Sequence, residues 1–293
     1  MDRFFPVRNT EEDTKLEFYT SLIDFYKIIN SIYSVKFRNP LFEYKRTDLT
    51  LVDAHLIPFL VLEFKGDYGT CTQAQEQLRA YSAVVKAPYY GCILGYSLQK
   101  HYFLELYDPQ SLKFGGAIFT GFATSMKELI NILFSAIKFQ KVSRAPPIEE
   151  KEYRKYLRNE ASLKFELGRA LKENGLDVAI EYGLMKNITF SYSNRVDIAI
   201  VTKEGNIIPI EVKAKDPGIE GFSQVDRYMR AFNSTLGALA YYDKKGKGII
   251  IELYNYQNES YKKFNIALVN INGLDLVDEH DISLFIQRVF GRS

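Results

Sequence analysis

Two short stretches of the sequence place a glutamate two residues before a lysine at the end of an apolar run. Residues 208–213 read IPIEVK, and residues 62–65 read LEFK. Successive side chains of a β-strand point to opposite faces, so Glu211 and Lys213 share one face of a strand, and the same holds for the other stretch. The ordinary interpretation is an exposed ion pair at a strand end, which adds little stability. The alternative is a carboxylate and an amine held together for chemistry.

An aspartate begins the apolar run that precedes each of these stretches. Asp197 is followed by Ile-Ala-Ile-Val, and Asp48 is followed by Leu-Thr-Leu-Val. A hairpin that pairs Asp197 with Glu211 has its turn centred on residue 204, within Lys-Glu-Gly-Asn, which favours a turn. The equivalent pairing for Asp48 centres a less favourable but polar turn on residues 55–56. Cross-strand neighbours have Cβ atoms about 5 Å apart, so we expect adjacent carboxylates in each hairpin if the register puts them on one face.

Two adjacent carboxylates and a nearby lysine are suited to metal-assisted chemistry. The carboxylates repel each other, and a divalent cation removes that repulsion. Mg²⁺ prefers oxygen ligands, and it often binds through one or two carboxylates together with water and substrate phosphates. A lysine two residues further on can hold or deprotonate a water molecule, or can face the phosphate charge. These residue types therefore indicate metal-assisted hydrolysis of a phosphodiester bond.

A glutamine and a tyrosine follow each Glu-x-Lys strand on a predicted helix. The pairs are Gln224 with Tyr228 and Gln77 with Tyr81, and a spacing of four residues puts both members on one helix face. Either tyrosine taken alone could be a core aromatic residue with a glutamine nearby by chance. The recurrence of the same pair behind both strands favours a functional interpretation.

The second half of the chain repeats the first half at a nearly constant offset. The aspartate, the glutamate and the tyrosine recur after 149, 148 and 147 residues, and FLELY at 103–107 recurs as IIELY at 250–254. Each half reads as a helix, a strand, a strand pair, the helix with Gln and Tyr, another strand pair, a strand and a helix. The first helices are predicted at 14–30 and 161–175, and the last at 125–137 and 281–290. The predicted fold class is α/β, with a central mixed sheet built twice.

The repeat and the composition of the connecting segment predict the domain limits. The linker at 143–152 contains two prolines and a run of charges, as an exposed connection does. We therefore predict an N-terminal domain at 1–142 and a C-terminal domain at 153–293.

Composition excludes several classes of protein. The 293 residues are 46% hydrophobic and 25% charged, which fits globular domains. The net charge of +2 gives the protein no overall positive potential that would attract nucleic acid, although a basic groove could be local. Two cysteines and three scattered histidines exclude a disulfide framework, a four-cysteine centre and a histidine-rich metal site. The start has no cleavable signal pattern, and no apolar run approaches about 18 residues. We expect a cytoplasmic protein without a membrane partner.

These motifs resemble the PD-(D/E)xK nuclease superfamily, in its RecB-like branch with a Q-x-x-x-Y motif. The similarity runs through Asp…Glu-x-Lys…Gln-x-x-x-Tyr in both halves and covers most of each. The Asp…Glu-x-Lys part is short and weakly specific by itself, and the trailing Gln and Tyr in both copies strengthen it. Thr47 and Val196, rather than proline, precede the aspartates, which is a common departure in that superfamily.

The resemblance implies two tandem restriction-endonuclease-like domains and a role for each motif residue. The aspartate and glutamate would bind Mg²⁺ or Mn²⁺ with help from the backbone carbonyl between glutamate and lysine. The lysine would position the attacking water, and the glutamine and tyrosine would orient the motif and the DNA backbone. In the second half these residues are Asp197, Glu211, Val212, Lys213, Gln224 and Tyr228. In the first half they are Asp48, Glu63, Phe64, Lys65, Gln77 and Tyr81.

Members of the superfamily often add a glutamate from the first helix of the domain. Glu160 and Glu12, which are 148 residues apart, are the candidates here. Glu166 and Glu17 compete with them for this role.

The resulting expectation is a metal-dependent DNA nuclease in which the duplicated active site acts as a single-chain pseudo-dimer. An RNA substrate would need the same residues and is not excluded. The alternative is a catalytically inactive nuclease-fold module that binds nucleic acid or protein. Retention of the charged residues in both copies disfavours that alternative, because an unused site has no physical reason to keep buried charges. The oligomeric state is left open by the sequence.

Overall fold

The computed structural model describes residues 4–32, 37–96, 101–137, 145–186, 192–243, 248–257 and 260–269. It shows an α/β protein with two mixed sheets and flanking helices. Contacts divide the chain into two compact units: the first unit is Thr10–Ser162, and the second unit combines Met1–Asn9 with Leu163–Ser293. The domain limits that the repeat predicts stay a prediction.

The described residues form thirteen strands and seven α-helices. The strands are β1 (Phe4–Val7), β2 (Leu41–Phe42), β3 (Leu49–Val52), β4 (Pro58–Lys65), β5 (Tyr89–Tyr96), β6 (His101–Tyr107), β7 (Phe119–Ala123), β8 (Asp177–Lys186), β9 (Tyr192–Val201), β10 (Ile207–Lys213), β11 (Leu236–Tyr242), β12 (Gly248–Gln257) and β13 (Ser260–Val269). The helices are α1 (Thr10–Ile32), α2 (Cys71–Val84), α3 (Pro109–Phe114), α4 (Met126–Ala136), α5 (Glu150–Leu157), α6 (Glu160–Glu173) and α7 (Ile219–Ala231).

The first unit is a six-stranded sheet with helices on both faces. Its strand order is β2-β3-β4-β5-β6-β7, and β4 and β5 are parallel while the other neighbours are antiparallel. Helix α1 lies on the face of Phe64, whose ring makes an edge contact with Phe18. Helix α2 lies on the opposite face, where Cys71 is joined to Cys92 of β5. A parallel pair at the centre is buried on both sides, which explains the almost unbroken apolar sequence of β4 and β5.

Helix α1 approaches the end of β4 closely because a glycine lies there. A Cβ atom on Gly66 would stand 2.2 Å from Oγ1 of Thr10. The same hydroxyl accepts a hydrogen bond from the N–H of Asp67 at 3.1 Å. This contact fixes the first turn of α1, with its acidic residues Glu11 and Glu12, beside the end of the Glu-x-Lys strand.

The second unit is a seven-stranded sheet with the order β1-β8-β9-β10-β11-β12-β13. Strands β10 and β11 are parallel and the others are antiparallel, including β1 with β8. Helix α7 packs on β11 through a cluster that contains Val225, Met229 and Leu239. From α6 to β13 the connectivity repeats that of the first unit from α1 to β7, except that the first unit inserts α3 between its last two strands.

The elements predicted from sequence appear near their expected positions. The helices predicted at 14–30 and 161–175 correspond to α1 and α6, and the two Glu-x-Lys hairpins correspond to β3–β4 and β9–β10. The α/β class with mixed sheets is therefore confirmed. The final helix predicted at 281–290 lies outside the described residues.

A disulfide links the start of α2 to the sheet. Cys71 is the first residue of α2 and Cys92 lies in β5, with a sequence separation of 21. Closing a loop of this length lowers the entropy of the unfolded chain, so Cys71→Ala with Cys92→Ala should destabilise the first unit by roughly 2–3 kcal/mol. Urea unfolding followed by tyrosine fluorescence would measure this loss. Wild-type protein under reducing conditions is the control and should lose a similar amount. An unchanged unfolding midpoint in both samples would contradict the prediction.

Candidate functional site

The register of both hairpins puts the aspartate opposite the glutamate. In β9–β10, Ile198 pairs with Ile210, so the next pair in this register is Asp197 with Glu211. In β3–β4, Leu49 pairs with Leu62, so the next pair there is the equivalent aspartate and glutamate of the first unit. The hairpin register predicted from the turn residues is therefore confirmed. Sheet geometry fixes this arrangement, because a slip of one strand by one residue would put the two side chains on opposite faces of the sheet.

In the second unit the aspartate, glutamate and lysine form a single connected group. Nζ of Lys213 donates to Oε1 of Glu211 at 2.6 Å. Oδ2 of Asp197 accepts the backbone N–H of Val212 at 2.8 Å. The charge of Asp197 lies close enough to Glu211 to raise the pKa of its carboxyl group. The glutamate side chain is 5% exposed and the lysine side chain is 24% exposed, so the lysine reaches solvent while the acid beside it is buried.

The first unit repeats this geometry. Nζ of Lys65 donates to Oε1 of Glu63 at 2.8 Å, and Oδ2 of Asp48 accepts the N–H of Phe64 at 2.8 Å. The second oxygen of Glu63, Oε2, is buried and has no hydrogen-bond partner among the described residues. A buried carboxylate oxygen without a donor is unfavourable by itself. A cation bound to this oxygen would compensate for the hydration that the oxygen loses on burial.

Both glutamates are driven towards the protonated form. The pKa of Glu211 is raised to about 7: burial is the largest cause, the charge of Asp197 adds to it, and Lys213 opposes it. The pKa of Glu63 is likewise raised to about 7, by burial first and then by the charge of Asp48, against the opposing effect of the two nearby lysines. Desolvation and a neighbouring like charge both disfavour a carboxylate. The same combination occurs at the same position in both units.

Helix α1 adds further charges to the first unit's site. Nζ of the buried Lys15 donates to Oε1 of Glu12 at 2.7 Å and to Oδ1 of Asp48 at 3.1 Å. Burial by itself would lower the pKa of Lys15, but these two carboxylates outweigh it and raise the pKa. Glu11 lies 3.8 Å from Lys65. The structure thus brings the predicted helix glutamate Glu12 into contact with the site through a lysine. These contacts define the first-unit cluster: Glu11, Glu12, Asp48, Glu63, Lys15 and Lys65.

The second unit has a different set of neighbours. Lys164 of α6 donates to Oε1 of Glu181 at 2.8 Å, and Arg195 donates to Oε2 of the same residue at 3.0 Å. Glu181 lies opposite Asp197, because Ile180 and Tyr182 pair with the residues on either side of that aspartate. We define the second-unit cluster as Asp197, Glu181, Glu211, Lys164, Arg195 and Lys213.

Sequence comparison of the two halves did not identify Glu181, whose backbone is left-handed at φ 49. Its positional counterpart in the first unit is the exposed Glu43, also left-handed at φ 55. The two are 138 residues apart, which is off the repeat offset. Sparsely populated backbone conformations of this kind concentrate at functional sites.

The tyrosines of the Gln-x-x-x-Tyr motif lie beside the buried glutamates. Burial raises the pKa of Tyr228, and the charge of Glu211 raises it further. The guanidinium of Arg227 stands 5.0 Å from the centre of the Tyr228 ring. In the first unit, burial and then Glu63 raise the pKa of Tyr81. The structure therefore places each tyrosine beside its glutamate, and the role of the two tyrosines in orienting the motif and the DNA backbone stays a prediction.

The two glutamines are less buried than the tyrosines. Gln77 is exposed on α2, one turn before Tyr81, and it opposes the rise in the pKa of that tyrosine. Gln224 is half-buried on α7, one turn before Tyr228. Their predicted role in orienting a substrate backbone stays a prediction.

The remaining helix glutamates fall into two groups. Glu160 is the exposed first residue of α6, and its role stays a prediction. Glu17 accepts a hydrogen bond from the hydroxyl of Tyr102. Glu166 is buried, and its Oε2 lies 3.1 Å from a guanidinium nitrogen of Arg169. Glu17 is paired with a residue of β6 and Glu166 with a residue of its own helix, whereas Glu12 is linked to Asp48 through Lys15.

The two adjacent carboxylates of each unit are oxygen donors of the type that a hard divalent cation prefers. Each unit offers two adjacent carboxylates with a strand backbone between them, and a cation such as Mg²⁺ accepts one or two carboxylates and fills its other positions with water. Within the described residues, no group of three or more His, Cys, Asp or Glu side chains is close enough to hold a metal ion. The carbonyl groups of Val212 and Phe64 stay predicted ligands, although both residues already contact the aspartates through their N–H groups.

Comparison with known proteins adds no relative. The chain matches no known protein family, and no characterised protein has a sequence similar enough to match it. Across the described ranges, no helix has the length and apolar character that crossing a membrane requires. The cytoplasmic localisation stays a prediction.

Proposed function

We propose that this protein is a Mg²⁺- or Mn²⁺-dependent DNA nuclease of the PD-(D/E)xK type, with one site in each unit. One observation carries the proposal. In both units a buried glutamate lies opposite an aspartate and within hydrogen-bonding distance of a lysine two residues later. Such an arrangement costs folding free energy in the absence of a cation, because the carboxylates are desolvated and repel each other. Its occurrence twice in one chain favours selection for chemistry over chance.

Each side chain has a defined task in this proposal. Asp197 and Glu211 would hold the cation, which would supply stabilisation of the charge that develops on the phosphate and a lowered pKa of a water molecule. Lys213 lies at the solvent side of the glutamate and holds the attacking water or the phosphate charge. Tyr228 packs against the glutamate and limits its rotation.

In the first unit the same tasks fall to Asp48, Glu63, Lys65 and Tyr81. Helix α1 supplies the additional ammonium of Lys15, which contacts Asp48 at 3.1 Å. Because both oxygens of Asp48 accept hydrogen bonds, the orientation of this carboxylate is fixed before any ligand arrives. Preorganisation of this kind lowers the cost of binding a charged ligand.

Two sites in one chain would allow both strands of a duplex to be cut by one molecule. Supercoiled plasmid distinguishes the products, because one cut gives an open circle and two opposed cuts give a linear molecule. The test is incubation of wild type with plasmid, single-stranded DNA and single-stranded RNA in Mg²⁺ or Mn²⁺, with a chelator control. We expect cleavage that stops with the chelator and is absent in Glu63→Gln with Glu211→Gln.

Two outcomes would contradict this proposal. Intact DNA and RNA with the wild type under all conditions would favour the non-catalytic binding module. Equal cleavage by wild type and by the double variant would show that the activity comes from elsewhere. Cleavage of RNA alone would support the same catalytic site but would make RNA, and not DNA, the substrate.

Each single variant, Glu63→Gln or Glu211→Gln, is expected to yield more open circles relative to linear molecules than the wild type.

A further inference from the structure

An exposed arginine stands beside the tyrosine of the second unit's Gln-x-x-x-Tyr motif. Arg227 lies on α7, one residue before Tyr228, and its Nη2 atom donates a hydrogen bond to the tyrosine hydroxyl at 3.3 Å. Its guanidinium carbon stands 5.0 Å from the centre of the tyrosine ring, a distance at which the ring attracts a cation. These two contacts with one side chain restrict where the charge of the arginine can lie.

Tyr228 lies on the face of the sheet that carries the proposed site. Its ring belongs to a buried cluster with Ala199 of β9 and Ile207 of β10. Ala199 lies two residues after Asp197, and Ile207 lies four residues before Glu211, so even spacing puts all of them on one face. Burial raises the pKa of the tyrosine hydroxyl, and the charges of the glutamate and then of the aspartate add to the rise. The guanidinium on that hydroxyl is therefore at the edge of the site.

The charge of Arg227 is not taken up by an acidic side chain of the described residues. Its hydrogen bonds and ring contacts there are confined to Tyr228, and the residue is exposed. The acid next to it in the chain, Asp226, instead accepts hydrogen bonds from Arg230 at 3.0 Å. A guanidinium is a planar fork of N–H donors that matches the oxygens of a phosphate group. Most of this fork is open to a ligand.

The first unit has no counterpart of this arginine. The residue before Tyr81 is the exposed Ala80, at the same offset of 147 residues that relates the two tyrosines. A methyl group offers neither a charge nor a donor. Arg79, which precedes that alanine, donates to the backbone carbonyl of Leu112 at 2.9 Å. The two motifs therefore match in sequence and differ in what they offer to a strand of nucleic acid.

We propose that Arg227 binds a phosphate group of the nucleic-acid strand at the second unit's site, and that the first unit lacks this contact. The inference rests on the proposed nuclease function, because the bound strand is the substrate of that reaction. A phosphate contact positions a strand and does not read its sequence. The second unit should therefore hold a strand more tightly than the first, whatever the sequence of that strand.

Binding is measured apart from cleavage in full-length protein that carries Glu63→Gln with Glu211→Gln. The probe is a short, fluorescent, single-stranded DNA in the presence of a chelator, and fluorescence anisotropy gives the affinity over a range of salt concentrations. Adding Arg227→Gln should weaken binding roughly fivefold, the upper end for an exposed ion pair. It should also reduce the slope of log affinity against log salt by about 0.7, the share of one phosphate contact. Arg227→Lys keeps the charge and should keep the slope.

Two further variants provide the controls for this measurement. Arg230→Gln removes the same charge from an exposed position on the same helix, where the arginine is paired with Asp226, and should leave the affinity and the slope unchanged. Ala80→Arg places a guanidinium before the first unit's tyrosine and should tighten binding and steepen the slope. A folding defect would not produce this gain of affinity.

Cleavage by proteins with one intact site shows which site the arginine serves. Glu63→Gln leaves the second unit's site, and Glu211→Gln leaves the first unit's site. Adding Arg227→Gln to the former should raise the KM for DNA roughly fivefold with kcat nearly unchanged. Adding it to the latter should change neither constant.

The outcomes separate this inference from the function on which it rests. An affinity and a salt slope of Arg227→Gln equal to those of Arg230→Gln would overturn the inference and leave the nuclease proposal intact. A loss of affinity without a change of slope would also overturn it, because the arginine would then act only by holding the ring of Tyr228. The expected binding changes in a protein whose wild type cleaves nothing would support the phosphate contact and overturn the nuclease proposal.

Discussion

Replacement of Lys213 by methionine is expected to lower the rate of DNA cleavage at the second unit's site by roughly 10²–10⁴-fold, the usual contribution of a positioned proton-transfer group. Nζ of Lys213 lies 2.6 Å from Oε1 of Glu211, and its partial exposure lets it reach a water molecule or a phosphate. Methionine keeps the length and the apolar stem but removes the amine. On supercoiled plasmid, Lys213→Met should give open circles, and Lys65→Met with Lys213→Met should leave the plasmid intact.

Two measurements separate a chemical role of this lysine from a structural one. Lys215→Met removes a charge from an exposed position two residues further on and should cleave like the wild type. Mn²⁺ binding to Lys213→Met should persist, because the carboxylates are unchanged and one competing positive charge is gone. If Lys213→Met cleaved as fast as Lys215→Met, the lysine would have no part in the reaction.

Removal of the buried charge should make the metal-free protein more stable above neutral pH. The pKa of Glu63 and of Glu211 is raised to about 7 in the folded protein, first by burial, against 4.5 for the ordinary glutamate. The folded state thus binds a proton more tightly than the unfolded state. The resulting stability is fully present below pH 4.5 and is lost as the pH rises through about 7. The loss amounts to roughly 3 kcal/mol for each glutamate.

Glutamine imitates the protonated acid and does not titrate. Glu63→Gln and Glu211→Gln should therefore raise the unfolding temperature above that of the wild type at pH 8 in the presence of a chelator, and the difference should shrink towards pH 4. Differential scanning calorimetry across this pH range would measure both effects. Glu76→Gln, at an exposed position on α2, is the matched control and should show neither. Functional sites commonly carry such a stability cost.

Added Mg²⁺ should reverse the order of stability. The cation neutralises the carboxylates of the wild type, so wild-type stability at pH 8 should rise with metal concentration, whereas the double variant should not respond. A wild type that is already more stable than both glutamine variants at pH 8 without metal would contradict the assignment of these carboxylates as a strained pair.

Local sequence was sufficient for much of the fold. Hydrophobic alternation in 208–213 and the turn residues around Gly205 determined the register of β9 and β10, and Asp197 and Glu211 became neighbours as a consequence. The first hairpin was harder to place, since its strands contain a bulge between Leu51 and Val52. The repeat provided the register of that hairpin, because a register established in one copy applies to the other.

Charges contributed by distant elements could not be found in the same way. Lys15 contacts Asp48 across 33 residues, and neither its spacing nor its neighbours in the chain distinguish it from a solvated helix lysine. Glu181 follows a different offset from the rest of the repeat, so comparison of the halves passed over it. The disulfide between Cys71 and Cys92 joins residues on different elements, and a count of two cysteines does not show that they meet.

The sequence by itself determined the α/β class, the duplication and the Asp, Glu-x-Lys and Gln-x-x-x-Tyr positions, because each depends on alternation, helical spacing and turns within a few tens of residues. Tertiary structure decided the surroundings of those positions: which lysine faces Asp48, which positively charged side chains pair with Glu181, and which oxygen of Glu63 is left without a donor. Those features depend on burial and on contacts between elements far apart in the chain. The motif therefore identifies the site, and packing sets the charge that each copy presents to a ligand.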